Sequence, residues 1–356
     1  MRGIGLAVGA GGGDNHVVRN ERTRVGVVGG GSWGTALAAH LAAHDVPTEL
    51  WAREPDVIEG INRDHRNHLF LSDVDLHPTL TASHDLHALV ARHDLLVSAV
   101  PVQFLRRTLA DIDELADIDT VVTVSKGIEV STLMTPHHIL VDLGVPEERI
   151  VALSGPSFAR EVVAGRPTAV VAAGRDSARV ERVQRLFSKD FFRVYASDDI
   201  VGVEIGGALK NVVALAAGVS DGLELGDNTR AAIITRGLAE ITRLGVALGG
   251  HPATFAGLSG VGDLMLTSAG GLSRNRSVGL AIGRGRTLDE IRAEMNEVAE
   301  GVPTCRSARE LAARVGVDLP IIEQMYLLLY EDRDPRDALR DLFGRELRDE
   351  REHPDA

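Results

Sequence analysis

The sequence predicts an α/β protein in which a doubly wound sheet domain precedes an all-helical C-terminal domain. Three observations lead to this prediction. A glycine-rich turn joins an apolar strand to a helix near residue 30, strand and helix signals then alternate up to residue 195, and strand signals almost vanish beyond Asp198. Alternating strands and helices are typical of a parallel sheet that helices cover on both faces.

Composition limits the classes of function. At 356 residues the chain exceeds the usual size of one domain, so two domains are expected. The net charge of −13 argues against a nucleic-acid partner, but it permits a local cationic pocket for a small phosphate. No apolar run is long enough to cross a bilayer, so no stable membrane insertion is expected. Cys305 is the only cysteine, which excludes an intrachain disulfide and favours a reducing, cytoplasmic location.

Residues 1–22 are predicted to be a flexible N-terminal extension. They are rich in glycine, and their apolar stretch is too short for a secretory signal. The glycine run from Gly9 to Gly13 looks like a nucleotide-binding loop, but no full strand precedes it. We therefore expect no site there.

The first strand and the turn after it predict dinucleotide binding. Residues 24–29 have the pattern of a buried strand, and Gly29-Gly-Gly-Ser-Trp-Gly34 leads directly into a helical run. Gly29 would allow the tight turn, Gly31 would let the backbone approach a pyrophosphate, and Gly34 would let the helix pack closely on the strand. Amides at the start of the helix would then face the phosphates. This context predicts a Rossmann-type domain.

Side chains near this turn help to predict whether NAD or NADP binds. Ser32 and Trp33 occupy its variable positions and could contact the cofactor, although packing is an equally good role for Trp33. The second strand, at 49–52, ends where NAD-specific folds usually place an acid for the ribose 2′-hydroxyl. Here Arg53 comes first and Glu54 follows. Arginine can pair with a 2′-phosphate, so NADP is permitted or preferred and NAD remains possible. The alternative role of Arg53 is a solvated surface charge.

Five further strand patterns complete the predicted sheet, at residues 94–100, 120–125, 150–154, 168–173 and 191–195. Ligands of such sheets gather at the carboxyl ends of the strands. Lys126 follows one of these strands, while Gly155 and Ser157 follow the next. We therefore expect these three residues near the reactive end of the cofactor.

The second half is predicted to be helical, with segments at 200–222, 229–248, 287–295, 304–315 and 320–330. The connection at 196–199 has a helix N-cap signature rather than a flexible linker, which favours closely packed domains. The predicted organisation is a flexible extension (1–22), a dinucleotide-binding Rossmann domain (23–196), a helical substrate-binding domain (197–346) and a polar tail (347–356).

Lysine is scarce, because arginine supplies all but three of the basic side chains: only Lys126, Lys189 and Lys210 are present. A desolvated lysine can release its proton near neutral pH, whereas an arginine cannot. Gly206 and Gly207 lie one turn before Lys210, so small apolar neighbours would desolvate its amine and lower its pKa toward neutrality. The same glycines could instead serve a close helix crossing. Lys189 has no such neighbours and looks incidental.

A second glycine-rich segment offers donors for a phosphate. Asp263 lies in the turn that begins at Gly257, and Ser273, Arg274 and Asn275 provide a hydroxyl, a guanidinium and an amide. In an acidic protein such a cluster is the expected concentrated anion pocket. The alternative is a capped turn with a solvated arginine.

Together these segments resemble the bacterial NAD(P)-dependent glycerol-3-phosphate dehydrogenase family. The resemblance covers roughly residues 24 to 345 and rests on seven ordered motifs, namely Gly29-x-Gly-Ser-Trp-Gly-Thr-Ala-Leu-Ala38, Ser125-Lys-Gly127, Gly155-Pro-Ser-Phe-Ala-Arg-Glu161, Ala208-Leu-Lys-Asn-Val212, Gly262-Asp-Leu264, Ser273-Arg-Asn275 and Glu300-Gly301. It implies reversible hydride transfer between NAD(P)H and dihydroxyacetone phosphate, which gives sn-glycerol 3-phosphate for glycerophospholipid synthesis. It also implies a homodimer.

The resemblance implies a role for each site residue. Lys210 would be the proton acceptor and donor. The substrate would contact Lys126, Gly155, Ser157, Lys210, Asp263, Ser273, Arg274 and Asn275. Besides the glycines of the first turn, the cofactor would contact Ser32, Trp33, Arg53, Lys126, Ala159, Arg274, Val298 and Glu300.

Two other functions stay open at this point. One is a related Rossmann dehydrogenase for a 3-hydroxyacyl thioester or a sugar acid, which the phosphate-binding segment at 273–275 disfavours. The other is a catalytically silent cofactor-binding protein, which Lys126, Lys210 and Asp263 disfavour. The preference between NAD and NADP, feedback inhibition and the true translation start do not follow from the sequence.

No metal site is expected. Four histidines stand in close pairs but lack a supporting cluster of cysteines or carboxylates, so they are expected at the surface: His65, His68, His137 and His138.

Overall fold

The computed structural model describes residues 23–294, 299–346 and 350, and it confirms the predicted fold class. An eight-stranded sheet with helices on both faces comes first, and every described element after Ser197 is helical. The predicted extension at 1–22 lies outside the described residues, as does the predicted tail apart from residue 350.

The strands are Val25–Val28 (β1), Thr48–Trp51 (β2), Thr81–Ser83 (β3), Leu95–Ser98 (β4), Thr120–Thr123 (β5), Ile150–Ser154 (β6), Thr168–Ala173 (β7) and Phe192–Ser197 (β8). Their order in the sheet is β3-β2-β1-β4-β5-β6-β7-β8. The four central strands β1, β4, β5 and β6 are buried along their whole length, as expected for a sheet covered on both faces. Alternate residues of these strands contribute to two separate apolar clusters, one on each face.

The helices of the sheet domain are Ser32–Ala43 (α1), Pro55–Glu59 (α2), Leu86–Arg92 (α3), Val102–Leu109 (α4), Pro136–Asp142 (α5), Ala159–Val163 (α6) and Ser177–Phe187 (α7). Those that follow it are Ile200–Gly222 (α8), Gly226–Ala247 (α9), Pro252–Phe255 (α10), Asp263–Ala269 (α11), Arg274–Gly283 (α12), Leu288–Glu294 (α13), Gly301–Val315 (α14), Pro320–Tyr330 (α15) and Pro335–Phe343 (α16). Short 3-10 turns lie at Asp113–Asp117 and Glu147–Arg149, and π-helical turns lie at Gly60–Asp64 and Leu258–Gly262.

Two details of the sheet differ from the prediction. Strand β3 has only three residues, which is too short to show an alternating pattern in the sequence. Strand β7 runs antiparallel to β6, so the predicted parallel sheet is mixed at this edge. The only helix between them, α6, has five residues and is about 7.5 Å long, which is too short to carry the chain back along a strand for a parallel crossover.

Helix α8 is the centre of the helical domain. Nearly all of its residues are buried, and it packs against α9, α11, α12 and α14. It is long and apolar enough to cross a membrane by length and composition, so the sequence-based statement that no run reaches that length was wrong. Because 94% of its most apolar window is buried inside the protein, the composition of α8 is that of a core helix.

The two domains meet along α8. Asp199 caps the helix by accepting a hydrogen bond from the Gly202 amide, as its N-cap signature predicts. One turn later, Glu204 accepts the backbone amide of His137 at 2.9 Å, and its other oxygen lies 2.5 Å from His137 Nδ1. Both side chains are buried, so the expectation of a surface histidine was wrong for His137. This contact joins α8 to the start of α5 in the sheet domain.

Candidate active site

The turn Gly29–Gly34, here called the dinucleotide turn, lies at the carboxyl end of β1. Gly29 has φ +123, and a side chain there would collide with the Ala99 carbonyl. A Cβ on Gly34 would lie 2.0 Å from the Gly29 carbonyl oxygen, so α1 can approach β1 only because this residue is glycine. By contrast, a Cβ on Gly31 would meet nothing within 4 Å. The turn is therefore closed by packing at both ends and open in the middle, where a pyrophosphate would approach.

The side chains predicted to hold the cofactor lie around this turn. Ser32 is half-buried and donates a hydrogen bond to the Phe70 carbonyl at 2.9 Å. Trp33 is partly buried and packs against the apolar cluster on one face of the sheet. Arg53 is exposed just after β2 and bonds to Glu54 Oε1 through two nitrogens, at 3.1 and 2.8 Å. Arg53 and Glu54 thus form one ion pair at the position where a ribose substituent is recognised in this fold.

Three segments far apart in the sequence meet at Asp263. Lys126 Nζ lies 2.6 Å from Asp263 Oδ2, and Lys210 Nζ lies 2.5 Å from Asp263 Oδ1. Lys210 Nζ also donates to Thr267 Oγ1 at 2.7 Å. We call Lys126, Lys210, Asp263 and Thr267 the lysine cluster. The sequence singled out both lysines and the aspartate but did not predict that one carboxylate joins them.

Burial and charge set the protonation of this cluster. Desolvation lowers the pKa of Lys210 to about 7, although the neighbouring Asp263 acts in the opposite direction. Burial alone would raise the pKa of Asp263, but Lys126 and Lys210 together hold it below its usual value. Asp263 is therefore ionised at neutral pH while Lys210 is poised between its two forms.

Thr267 is a member of the cluster that sequence reasoning did not identify. It lies one turn after Asp263 on α11, and its hydroxyl oxygen is 3.3 Å from Asp263 Oδ1. The four-residue spacing from Asp263 corresponds to one helical turn, but the sequence analysis predicted a turn here rather than a helix. Gly206 and Gly207 prove to be packing positions, since a Cβ on either would press against Ser259 or Ser154.

The residues predicted to bind a phosphate lie at the start of α12. Ser273 is its N-cap and accepts the Arg276 amide at 3.2 Å. Arg274 is exposed and close enough to Glu300 to affect the pKa of that carboxyl. Asn275 is buried, donates to Asn211 Oδ1 at 3.0 Å and accepts the Gly301 amide at 2.9 Å. Asn211 directly follows Lys210, so Asn275 ties the start of α12 to the lysine-bearing helix.

The loop after β6 closes another side of the site. Gly155 has φ +147, and its carbonyl oxygen lies 3.5 Å from Lys126 Nζ. Ser157 donates to the same carbonyl at 3.0 Å, and Ala159 begins α6. The structure therefore places Gly155 next to the lysine cluster through Lys126.

Glu300 is another acidic group near the lysine cluster. Burial raises its pKa to about 7, while Arg274, Lys126 and Lys210 act to lower it, as does a hydrogen bond from the Val102 amide at the start of α4. Its carboxyl therefore links the helical domain to the rim of the sheet. Val298, the other contact predicted nearby, lies outside the described residues.

The fold and this site define a class of protein. A Rossmann-type dinucleotide turn, together with an amine whose pKa is near 7 at the carboxyl edge of the sheet, is typical of a nicotinamide-dependent dehydrogenase. Comparison with known proteins narrows the class. The family model described as NAD-dependent glycerol-3-phosphate dehydrogenase N-terminus matches residues 24–180, and the corresponding C-terminus model matches residues 199–340. The chain belongs to the NAD-dependent glycerol-3-phosphate dehydrogenase family, as its seven motifs predicted.

Individual relatives agree with this assignment. The glycerol-3-phosphate dehydrogenase (NAD(P)+) of Syntrophotalea carbinolica is 52% identical over 330 residues, which cover 92% of this chain and 99% of the relative. The solved glycerol-3-phosphate dehydrogenase of Coxiella burnetii is 35% identical with a TM-score of 0.86, covering 91% of this chain and 99% of that one. The solved structure from Saccharomyces cerevisiae is 28% identical with a TM-score of 0.76, covering 91% and 100%.

Proposed function

We propose that this chain catalyses reversible hydride transfer between NAD(P)H and dihydroxyacetone phosphate, giving sn-glycerol 3-phosphate. The observation that carries the proposal is the Lys210 amine, buried beside Asp263 and Thr267 with a pKa of about 7. Family membership supports the choice of substrate. The product is the glycerol phosphate from which glycerophospholipids are built, so we place the reaction in lipid synthesis.

Lys210 supplies the proton chemistry. In the oxidation, its neutral amine takes the proton of the C2 hydroxyl as hydride leaves C2; in the reduction, its ammonium form returns a proton to the carbonyl oxygen as hydride arrives at carbon. A pKa of about 7 makes both forms available at neutral pH. The bound nicotinamide accepts or supplies the hydride.

Asp263 and Lys126 orient this amine. Asp263 holds Lys210 through one oxygen and Lys126 through the other, so the two amines keep a fixed separation. Lys126 also reaches the Gly155 carbonyl, which places it between the sheet rim and the helical domain. We propose that Lys126 is a fixed positive contact for both substrate and cofactor, and that Gly155 and Ser157 border the substrate.

The phosphate of the substrate is proposed to lie at the start of α12. An N-cap leaves backbone amides directed outward, and the helix dipole favours an anion there. Ser273, Arg274 and Asn275 are the proposed contacts, with Asn275 also fixing the helix start to Asn211. This arrangement would position C2 by binding the remote end of the molecule.

The cofactor is proposed to bind across the dinucleotide turn, with Ser32, Trp33, Ala159, Arg274, Val298 and Glu300 as further contacts. The open face of Gly31 fits a pyrophosphate. Arg53 can reach a 2′-phosphate if it leaves Glu54, so we expect NADP to be accepted as well as NAD. Measuring the Michaelis constants for both cofactors tests this. The Arg53→Asp variant should have a Michaelis constant for NADPH about tenfold higher than wild type, because one charge-assisted contact is removed. Its Michaelis constant for NADH should stay within a factor of about two.

We further propose that the enzyme acts as a homodimer in the cytoplasm, without stable membrane insertion and without a nucleic-acid partner. Family resemblance supports the dimer, and the acidic composition, with a net charge of −13, supports the absence of a polyanionic partner.

One assay tests the proposed substrate. Oxidation of NADPH is followed by absorbance with dihydroxyacetone phosphate and, separately, with an acetoacetyl thioester. We expect rapid oxidation with the first and none above background with the second. Turnover of the thioester alone would assign the chain to 3-hydroxyacyl substrates, and inactivity with both would identify a silent cofactor-binding protein.

A further inference from the structure

The dinucleotide turn is held by a second segment of the sheet domain, residues 67–71. Asn67 and Leu71 close this segment through a backbone hydrogen bond of 3.0 Å, and both residues are fully buried. Between them Phe70 packs against the apolar cluster of the domain, while Leu69 is 52% exposed. The segment is therefore anchored at both ends and presents its middle to solvent beside the turn.

The Asn67 side chain is the link between the two segments. Its Nδ2 donates to the Gly30 carbonyl at 2.8 Å and to Thr35 Oγ1 at 2.8 Å. Its Oδ1 accepts the Phe70 amide at 3.1 Å. A fully buried amide that donates to the Gly30 carbonyl in the turn and to Thr35 just after it fixes the position of the turn, because breaking the contacts would leave polar groups unpaired.

The peptide after Gly30 explains why this link matters for the cofactor. The carbonyl of Gly30 and the N–H of Gly31 belong to one planar trans peptide, so they point in opposite directions. Asn67 and Thr35 both hydrogen-bond the Gly30 carbonyl, Thr35 at 3.2 Å. The Gly31 N–H is thereby turned away from Asn67.

We infer that Asn67 is a positioning residue for dinucleotide binding: it orients the Gly30–Gly31 peptide so that the Gly31 amide is preset to meet the cofactor pyrophosphate. Ser32 reinforces the same link by donating to the Phe70 carbonyl at 2.9 Å. The Asn67 side chain is fully buried and is not a member of the lysine cluster. Its contribution is to order the turn before the cofactor arrives.

Direct binding of NADPH without substrate tests this inference independently of the proposed reaction. Titration followed by cofactor fluorescence or calorimetry should show that Asn67→Ala raises the dissociation constant about tenfold, the equivalent of one well-formed hydrogen-bond network. At saturating NADPH, kcat and KM for dihydroxyacetone phosphate should stay within about twofold of wild type, because the lysine cluster is untouched.

Asn62→Ala is the matched control. Asn62 also makes a two-way amide contact with backbone, donating to the Ala82 carbonyl at 2.9 Å and accepting the Ala82 amide at 2.8 Å, but it holds β3 rather than the dinucleotide turn. This variant should lower the melting temperature and leave the NADPH dissociation constant within about twofold. If Asn67→Ala also lowers only the melting temperature, Asn67 is merely structural and the inference is overturned.

Thr35→Val covers the case in which Asn67→Ala does not fold. Valine keeps the shape of threonine but removes the hydroxyl that bonds the Gly30 carbonyl and accepts Asn67 Nδ2. We expect its NADPH dissociation constant to rise about threefold, since half of the link remains. A dissociation constant equal to that of wild type would overturn the inference.

Discussion

The dinucleotide turn and the lysine cluster, which we propose to form one site, are built in opposite ways. The turn is made of consecutive residues, its open face at Gly31 is backbone, and packing on β1 and α1 shapes it. The lysine cluster consists of side chains that come from the rim of the sheet, from α8 and from α11, and it exists only when the two domains are docked. Changes to the turn should therefore act on cofactor binding, whereas changes to the cluster should act on turnover.

The largest effect is expected from Lys210→Arg. Arginine keeps the positive charge but cannot release its proton near neutral pH, so the acid and base function is lost. We expect turnover to fall by at least about 100-fold with cofactor binding retained. Steady-state rates of NADPH oxidation measure the first, and fluorescence titration measures the second.

Lys189→Arg is the control for this substitution. Lys189 is the third lysine of the chain and lies in the turn before β8, away from the cluster. Its replacement should leave turnover within about twofold of wild type. Equal turnover for both variants would remove Lys210 from the proposed proton transfer.

Asp263→Asn should have the next largest effect. It removes the charge that joins Lys126 to Lys210, which leaves the buried Lys210 amine and the half-buried Lys126 amine facing a neutral amide. We expect a turnover loss of about tenfold or more through misplacement of Lys210, and a loss of about 3 kcal/mol in the free energy of unfolding. Turnover and urea denaturation measure the two quantities.

The chain offers a second aspartate in a similar arrangement as a control. Asp221 also bridges two basic side chains, Arg230 at 2.8 Å and Arg276 at 2.7 Å, but it lies at the far end of α8. Asp221→Asn should destabilise the fold by about 1 kcal/mol, since its partners are partly solvated, and leave turnover unchanged. A turnover loss as large as that of Asp263→Asn would mean that the cluster is only a structural ion pair.

The same contrast explains what the sequence could predict. The turn and its strand and helix are contiguous, so their spacing alone indicated the fold and led to the proposed place of the cofactor. Asp263 is separated from Lys126 by 137 residues and from Lys210 by 53, and no periodicity relates positions across two domains. The resemblance placed all three residues in one site, but their pairing through a single carboxylate follows only from the folded structure. Asn67 was not identified because its contact with the dinucleotide turn depends on the course of a loop 37 residues further along the chain.

The direction of β7 and the burial of His137 could also not be predicted from the sequence. The six residues of β7 have the composition of any buried strand, and their direction is set by the short α6 connection. His137 belongs to a pair of histidines near the start of a short helix, and its burial is favourable because Glu204, on a helix of the other domain, and the Thr135 hydroxyl give its polar atoms partners.

Within the dinucleotide turn, two glycines should respond differently to alanine. Gly31→Ala places its methyl group in open space, so the fold should be unaffected, but the methyl group would stand where the pyrophosphate is proposed to bind. We expect about a tenfold rise in the NADPH dissociation constant with an unchanged melting temperature. Gly34→Ala would bring its methyl group to 2.0 Å from the Gly29 oxygen and should lower both affinity and melting temperature. Identical effects of the two variants on stability would contradict the geometry of the turn.

The smallest expected effect is the change in reaction rate with pH that the pKa of Lys210 produces. Because the pKa of Lys210 is lowered to about 7, its ammonium form is lost as pH rises through 7. The rate of ketone reduction, which needs that form, should fall through this range, and the rate of alcohol oxidation, which needs the free amine, should rise. A reduction rate that increases with pH would be incompatible with Lys210 as the acid.

Glu300→Gln sharpens this test, because ionised Glu300 favours the ammonium form of Lys210 and glutamine keeps an oxygen for the Val102 amide while losing the charge. The midpoint for reduction should therefore move to lower pH, by about half a unit. Glu310→Gln is the control, since Glu310 lies on α14 and pairs with Arg306 in solvent. A midpoint that moves equally in both variants would trace the shift to the overall charge of the protein. A shift confined to Glu300→Gln would show that charges next to the lysine cluster set the pKa of Lys210.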